Sequence, residues 1–218
     1  MSDTSSYHFS SEELIRSCPL PKTMYSHKTQ SSLTIKTSKA EPLSLFLKRH
    51  KKHLSYSTME RLIEMIGRQL HNLETENKGI SSFNLDDITV FYDAANDAYF
   101  AITNEDKIHD IDDEHQLLIT TPYQKQYTAA PTATTRNISF QSPEFKEFAA
   151  KKTIPYKVHF KSGYYSFGLL CLYCYVSRTL VVADIFDQVL MPIINTKIYW
   201  FLKWVLNEHP AERRYICV

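Results

Sequence analysis

Residues 161–176 read KSGYYSFGLLCLYCYV, and no charged side chain occurs from Ser162 to Ser177. A membrane-spanning helix needs about 20 strongly apolar residues, whereas this stretch is shorter and contains serines, glycines and tyrosines. We therefore predict that Tyr164–Val176 is a helix buried within the protein. Cys171 and Cys174 lie inside it without a second cysteine pair, so we expect them to pack as small hydrophobic side chains rather than to bind zinc.

Helical periodicity also occurs on both sides of this stretch. Ser57 and Glu60 have the spacing of a capping box, in which each side chain bonds a backbone amide at the start of a helix. The apolar residues that follow recur every three or four positions: Met59, Leu62, Ile63, Ile66, Leu70 and Leu73. Pro210 ends a final predicted helix, whose apolar stripe comprises Ile198, Phe201, Leu202 and Val205.

Strands are predicted in small number. Ile88–Tyr92 and Ala98–Ile102 are rich in β-branched and aromatic residues and flank a turn-like DAAND segment, so they predict a hairpin. Gln116–Ile119 is a candidate third strand. The small polar residues at 123–135 have no periodicity and predict a surface loop.

The domain organisation is read from a change in composition. Residues 1–40 are rich in Ser, Thr and Lys, and we expect them to form a poorly packed arm, although 11–15 has a helix signal and 33–35 a strand signal. Residues 41–218 carry most of the apolar periodicity. We expect them to form one helical domain.

Composition excludes several classes of function. The 218 residues are 43% hydrophobic and 22% charged, as expected for a globular protein of one or two domains, and the net charge of +1 creates no general attraction to nucleic acid or anionic lipid. The chain has four glycines, none of them two residues apart, which excludes a GxGxxG phosphate loop. Gly163 and Gly168 have Walker-A spacing, but Leu169 and Leu170 stand where Lys and Ser or Thr are required. Four cysteines do not make a disulfide framework, so we expect a cytoplasmic or nuclear location.

Three charged segments are candidate sites. Asp86 and Asp87 form an acidic pair that we expect to be solvated, and residues 109–115 lack both the glycine of an EF-hand and the spacing of a zinc site. A short amphipathic helix at 43–48 leads into the basic run KRHKKH at 48–53. This run is the best candidate for an interaction patch, for nucleic acid or an anionic partner, although a solvated helix end is the simpler interpretation; its cations are Lys48, Arg49, Lys51 and Lys52.

Four blocks, in order, resemble the C-terminal lobe of protein kinases. They are PLSLFLK at 42–48, SPE at 142–144, KSGYYSFGLL at 161–170 and PAER at 210–213. The resemblance covers residues 33–218 and implies a mainly α-helical fold with a small β-hairpin region, without an N-terminal lobe. The segment at 196–202 is similar to the divergent kinase-like proteins of large DNA viruses, which implies a virion as a further location.

The resemblance also implies that the catalytic groups are replaced. Asn84 stands in the place of the base aspartate, Asp86 in that of a lysine, Thr89 in that of a metal-binding asparagine, and Gly163 in that of the aspartate that orients the catalytic loop. The full N-terminal lobe would have to precede about residue 36. The resemblance therefore implies a pseudokinase with no cofactor or metal, in which Glu144 and Arg213 form a buried structural ion pair.

We therefore expect a noncatalytic scaffold or structural component that binds another protein, and no membrane span. Two alternatives stay open. One is a nucleotide-dependent phosphotransferase completed by a partner chain, which would bind Mg²⁺ and nucleotide. The other is a nucleic-acid-associated protein that acts through the basic patch.

Overall fold

The computed structural model describes residues 5–50, 54–120, 139–151, 154–176 and 188–215. About 47% of these residues are helical and 27% lie in strands. The predicted loop at 123–135 lies outside the described residues, as do Lys51 and Lys52.

The long helices form where apolar periodicity predicts them. The described α-helices are α1 (Glu12–Ser17), α2 (Leu43–Arg49), α3 (Tyr56–Thr75), α4 (Pro143–Lys151), α5 (Ser162–Val176) and α6 (Lys197–Val205). The prediction that α5 is buried is confirmed, and both Cys171 and Cys174 are fully buried within it. The predicted start of α3 is wrong by two residues: Ser55 is the cap, and its Oγ accepts from the Thr58 amide at 3.2 Å.

The strands are short and antiparallel. They are β1 (Ser5–Phe9), β2 (Tyr25–Lys28), β3 (Leu33–Thr37), β4 (Lys39–Pro42), β5 (Lys78–Ile80), β6 (Phe83–Asn84), β7 (Ile88–Tyr92), β8 (Ala98–Ile102), β9 (Ile108–Asp110), β10 (Gln116–Ile119), β11 (Ser139–Phe140) and β12 (Tyr156–His159). Two three-stranded sheets have the orders β1-β3-β2 and β4-β7-β8, and three two-stranded sheets pair β5 with β9, β6 with β11 and β10 with β12.

The predicted β7–β8 hairpin is confirmed, with Val90 opposite Phe100. The predicted fold class is nevertheless wrong, because several small antiparallel sheets accompany the helices. The reason is that most of these strands pair with segments far away in sequence. Lys39 in β4 lies opposite Tyr92 in β7, and Gln116 in β10 opposite His159 in β12, so no local turn signals the pairing.

The described N-terminal residues, 5–40, do not form the poorly packed arm that we expected. Ile15, Leu33 and Ile35 are completely buried and belong to the same hydrophobic core as α3 and α5. In β3, buried Leu33 and Ile35 alternate with more exposed residues, as in a strand with one face against the core. The high Ser, Thr and Lys content reflects the solvent face of this sheet.

A buried glutamine covers the outer edge of β8. Gln69 on α3 is fully buried; its Oε1 accepts from the Ile102 amide at 2.7 Å, and its Nε2 donates to the Ile102 carbonyl at 3.1 Å. The side-chain amide thus supplies the bonds that a neighbouring strand would make. Burying an unpaired backbone amide or carbonyl would cost free energy.

Helix α5 lies at the centre of the core. The Phe167 ring is 5.6 Å from Phe83 and 5.8 Å from Phe201, measured between ring centroids. At Gly163 the helix approaches β5 so closely that an added Cβ would lie 2.2 Å from the Ile80 carbonyl oxygen. Only a residue without a side chain fits this approach, so α5 holds the chain that leads into the 81–89 segment.

Candidate functional site

Glu144 and Arg213 are brought together from positions 69 residues apart. Glu144 lies in the first turn of α4, and Arg213 follows a 3₁₀ turn at Pro210–Glu212. The guanidinium donates Nη1 to Glu144 Oε1 and Nη2 to Glu144 Oε2, the latter at 3.0 Å. The Arg213 side chain is completely buried, whereas 20% of the Glu144 side chain is exposed.

The remaining donors of Arg213 bind backbone carbonyls. Nε donates to Asn207 at 2.8 Å, Nη2 to Glu208 at 3.1 Å and Nη1 to Lys161 at 3.3 Å. The guanidinium also lies over the Tyr165 ring, 4.7 Å from its centroid. These contacts occupy the whole side chain, so it joins α4, α5 and the C-terminal turn and has no donor left for a ligand.

Asp87 is buried, and the expectation that it is solvated is wrong. Only 4% of the residue is exposed. Its Oδ1 accepts from Asn104 Nδ2 at 2.6 Å, and its Oδ2 accepts from the Asn84 amide at 2.6 Å. Desolvation raises the pKa of this carboxyl, although both hydrogen bonds favour the charged form. Asp86, in contrast, is exposed as expected.

The polar groups around Asp87 are bonded to one another. The Thr103 amide donates to the Asp87 carbonyl at 3.0 Å, and the hydroxyls of Thr89 and Thr103 are 2.8 Å apart. Thr89 is 8% exposed. The positions at which the resemblance places a base and a metal ligand therefore form a closed network, and the buried carboxylate in it is bonded to protein groups.

A second polar network anchors the preceding residues to α5. Ser166 Oγ accepts from the Phe83 amide at 2.6 Å and donates to the Phe140 carbonyl. Ser162 Oγ donates to the Ser81 carbonyl at 3.0 Å and lies 2.6 Å from Ser142 Oγ. This role was not predicted, although Ser162 and Ser166 are four residues apart in an apolar helix and therefore share one helix face.

Ser81 also contacts a histidine. His109 Nε2 lies 3.2 Å from Ser81 Oγ, and burial lowers the pKa of the imidazole. Ser81 is only 3% exposed. Because a nucleophilic hydroxyl must reach its substrate, this pair has the geometry of a structural hydrogen bond rather than that of a catalytic dyad.

The N-terminal residues cover the β7–β8 hairpin. The Tyr7 ring meets the Phe91 ring edge-on at 4.9 Å between centroids. Thr37 Oγ1 donates to the Tyr92 carbonyl at 2.8 Å, and the Ser38 amide donates to the same oxygen at 2.9 Å. All five residues of β7 are buried, so this central strand presents no open surface for a ligand.

The predicted basic patch is only partly described. Arg49 donates to Glu41 Oε1 and to the Tyr92 hydroxyl, the latter at 2.6 Å. Lys48 is exposed. Arg49 therefore belongs to a structural cluster with a buried carboxylate. Among the described residues of the basic run, Lys48 faces solvent and forms no ion pair with another described residue.

Exposed apolar side chains also occur next to and on α6, where none was predicted. Met191, Ile194 and Trp200 have 60%, 47% and 42% of their area exposed. They precede or lie on α6, whose opposite face carries the predicted stripe in the core. Trp200 lies three residues before Lys203 and outside that stripe. A tryptophan on the polar side of an amphipathic helix is the sequence signal that indicates this surface.

Other ligand sites were sought in the described parts of the chain. No cluster of three or more His, Cys, Asp or Glu side chains there is placed to hold a metal ion. No described helix combines the length and apolarity needed to cross a bilayer. A pocket between α3 and α5, lined in part by Leu70 and Tyr164, has a cavity volume of about 10 Å³, far below the ~300–1,000 Å³ typical of ligand sites.

No protein family model matches the chain, and no curated protein is significantly similar to it.

Proposed function

We propose that this protein is a catalytically inactive, kinase-like protein that works by binding another protein. The observation that carries the proposal is the closed network around Asp87. Phosphoryl transfer requires carboxylate and amide groups that reach Mg²⁺ and the substrate hydroxyl. Here the buried carboxylate is bonded to Asn104 and to the Asn84 amide.

Two further contacts support the kinase-like part of the proposal. The Glu144–Arg213 pair that the resemblance implies is within hydrogen-bonding distance, and its arginine is completely buried. Two segments separated by 69 residues have no local reason to meet. Gly163 packs against the Ile80 carbonyl, which leaves no room for the orienting aspartate of an active kinase.

Exposed apolar residues support the protein-binding part. Met191, Ile194 and Trp200 occur within ten residues of one another and are all more than 40% exposed. Large exposed apolar patches mark interaction sites in soluble proteins, and these three side chains are the candidates for such a patch. The proposal includes an intracellular or virion location, where such a partner would be met.

The first test measures the melting temperature of the purified chain with ATP and Mg²⁺ or Mn²⁺. A ligand stabilises a protein only by binding its native state, so we expect no shift. Asn84→Asp should likewise produce no autophosphorylation, because one restored carboxylate leaves the other groups unchanged. An active kinase serves as the positive control. A shift of several degrees at millimolar nucleotide, or activity of the variant, would favour the phosphotransferase alternative and overturn the proposal.

The second test isolates the chain from its native source under native conditions. We expect a protein partner to co-purify in a stoichiometric complex. Recovery of nucleic acid instead, with an affinity that falls steeply as salt increases, would support the nucleic-acid alternative.

A further inference from the structure

We infer that the surface formed by Met191, Ile194, Trp200 and Lys203 is the docking site for an acidic and apolar segment of a partner protein. This inference rests on the proposed protein-binding function and adds the place and the chemistry of the contact. It concerns a face of the chain distinct from both polar networks described above.

Successive turns hold the apolar residues of this surface close together. The Ile194 amide donates to the Met191 carbonyl at 3.2 Å, and the Thr196 amide donates to the Ile193 carbonyl at 3.0 Å. The Thr196 side chain then caps α6, and the Trp200 amide donates to the Thr196 carbonyl at 3.1 Å. Each exposed residue thus lies within a turn or two of the next on a fixed backbone.

The aromatic side chain at the centre is held in place. The Trp200 ring contacts the Tyr199 ring edge-on at 5.2 Å between centroids, and Tyr199 is 8% exposed. Lys203 Nζ lies 5.8 Å from the Trp200 centroid and 5.7 Å from that of Tyr199. A tryptophan that is already ordered loses little side-chain entropy on binding, and tryptophan is enriched among residues that dominate interface energies.

The charge of the surface selects the partner. No Asp or Glu occurs from residue 188 to residue 207. Lys197, Lys203 and Arg214 are exposed, and within the described chain no carboxylate forms an ion pair with any of them. A partner that covers Trp200 would desolvate Lys203, so a carboxylate on that partner gives the complementary contact.

The same charges argue against two other occupants. A second copy bound through a twofold axis would place Lys197 and Lys203 against the same cations, which repel. An anionic membrane attracts proteins through clusters of about four to eight cations, whereas the exposed cations of this surface are Lys197, Lys203 and Arg214. The opposite face of α6 is also packed in the core through Phe201 and Leu202, so Trp200 is the one largely exposed apolar side chain that this helix offers to a bilayer.

The experiment is selection from a random-peptide display library on the immobilised full chain. We expect enriched peptides that combine Asp or Glu with large apolar residues. The best synthetic peptide should bind the wild type in solution, and its affinity should fall as salt increases. Trp200→Ser and Met191→Ser should each weaken binding by more than about tenfold, and Lys203→Glu should weaken it as well.

Leu118→Ser is the matched control, because Leu118 and Trp200 are equally exposed, at 42%. It should leave the affinity unchanged. Melting temperatures establish that each variant is folded. If Trp200→Ser unfolds, Met191→Ser still tests the surface, because Met191 is more exposed than Ile194 or Trp200.

Several outcomes would overturn this inference. They are failure to select peptides, peptides without acidic residues, and binding that Trp200→Ser and Met191→Ser leave unchanged. Trp200-dependent sedimentation with phosphatidylserine vesicles would assign the surface to lipid, and a Trp200-dependent dimer would assign it to a second copy. Peptides that bind elsewhere on the chain would refute the docking site but not the proposed protein-binding function. Nucleotide binding in the first test would refute the proposed function but not the docking site.

Discussion

The two clusters around Arg213 and Arg49 have similar chemistry but opposite burial. In the first, the arginine is completely buried and its partner Glu144 is 20% exposed. In the second, the carboxylate of Glu41 is buried, with 6% of its side chain exposed, while Arg49 is 49% exposed. Each pair contains one side chain that cannot reach water, and the other contacts of that side chain decide what the loss of its partner costs.

The neighbouring groups reinforce this difference. If Glu144 is removed, Arg213 keeps three carbonyl contacts but carries an unpaired charge inside the protein. If Arg49 is removed, Glu41 keeps the Lys39 ammonium at 2.8 Å and the Tyr92 hydroxyl at 2.7 Å. Loss of Arg49 is therefore tolerated because Glu41 keeps a second cation, whereas loss of Glu144 leaves Arg213 without a carboxylate among the described residues.

The largest expected effect comes from breaking the Arg213 cluster. Glu144→Gln and Arg213→Met should each lower the free energy of unfolding by about 3 to 5 kcal/mol, because the first leaves the buried Arg213 charge unpaired and the second leaves the partly buried Glu144 carboxylate without its cation. The double variant should lose much less than the sum. Urea denaturation measures all three.

Arg61→Met is the matched control for the first prediction. Arg61 pairs with Asp97 at 3.4 Å, and both side chains are largely exposed, so the loss should be about 0 to 1 kcal/mol. Small, additive losses at Glu144 and Arg213 would contradict the role assigned to burial and weaken the kinase-like proposal.

An intermediate effect is expected in the Arg49 cluster. Glu41→Gln should cost about 1 to 3 kcal/mol, since it weakens hydrogen bonds to the Tyr92 hydroxyl and to two cations at a buried position. Arg49→Met should cost less than about 1 kcal/mol, because the arginine is half exposed. The same urea denaturation measures both variants. Equal losses of unfolding free energy in Glu41→Gln and Arg49→Met would show that burial of the carboxylate does not set its contribution.

Asp87 differs from Glu41, because amide groups rather than a cation donate hydrogen bonds to this buried carboxylate. Its pKa in the folded state is raised above the reference of 3.8, so its contribution to stability is present below that value and is lost as pH rises through the folded pKa. Asp87→Asn should remove this decrease from the pH dependence of the unfolding free energy. The control is Asp86→Asn at the exposed neighbour, which should keep the wild-type profile; an unchanged profile for Asp87→Asn would refute the assignment.

The smallest effect is expected at Lys48. This residue is exposed, so Lys48→Ala should change the unfolding free energy by no more than about 0.5 kcal/mol. The variant also addresses the nucleic-acid alternative: under that alternative, the affinity for DNA or RNA and its salt dependence would both fall. We expect neither to change. A large loss of stability would mean that Lys48 has a partner comparable to that of Arg49.

Part of the candidate site could be read from local spacing. Asn84 and Asp87 are three residues apart, as a capped turn requires, and Ser162 and Ser166 share a helix face. Asn104 could not be identified as the partner of Asp87 from the sequence. Asp87 precedes β7 and Asn104 follows β8, so only the pairing of the two strands brings them together. The exposed face of α6 was readable in principle from Trp200 and Lys203, which lie outside the apolar stripe.

The sequence by itself determined the elements whose signal is local. Helix α5, the apolar face of α3 and the β7–β8 hairpin follow from periodicity and from residue types within a few turns of chain. The tertiary structure alone decided that residues 5–40 are part of the core, that Asp87 is buried, and that Arg49 belongs to a structural cluster. The physical reason is that burial and pairing depend on neighbours contributed by distant segments. Composition describes a residue's own chemistry and carries no information about those neighbours.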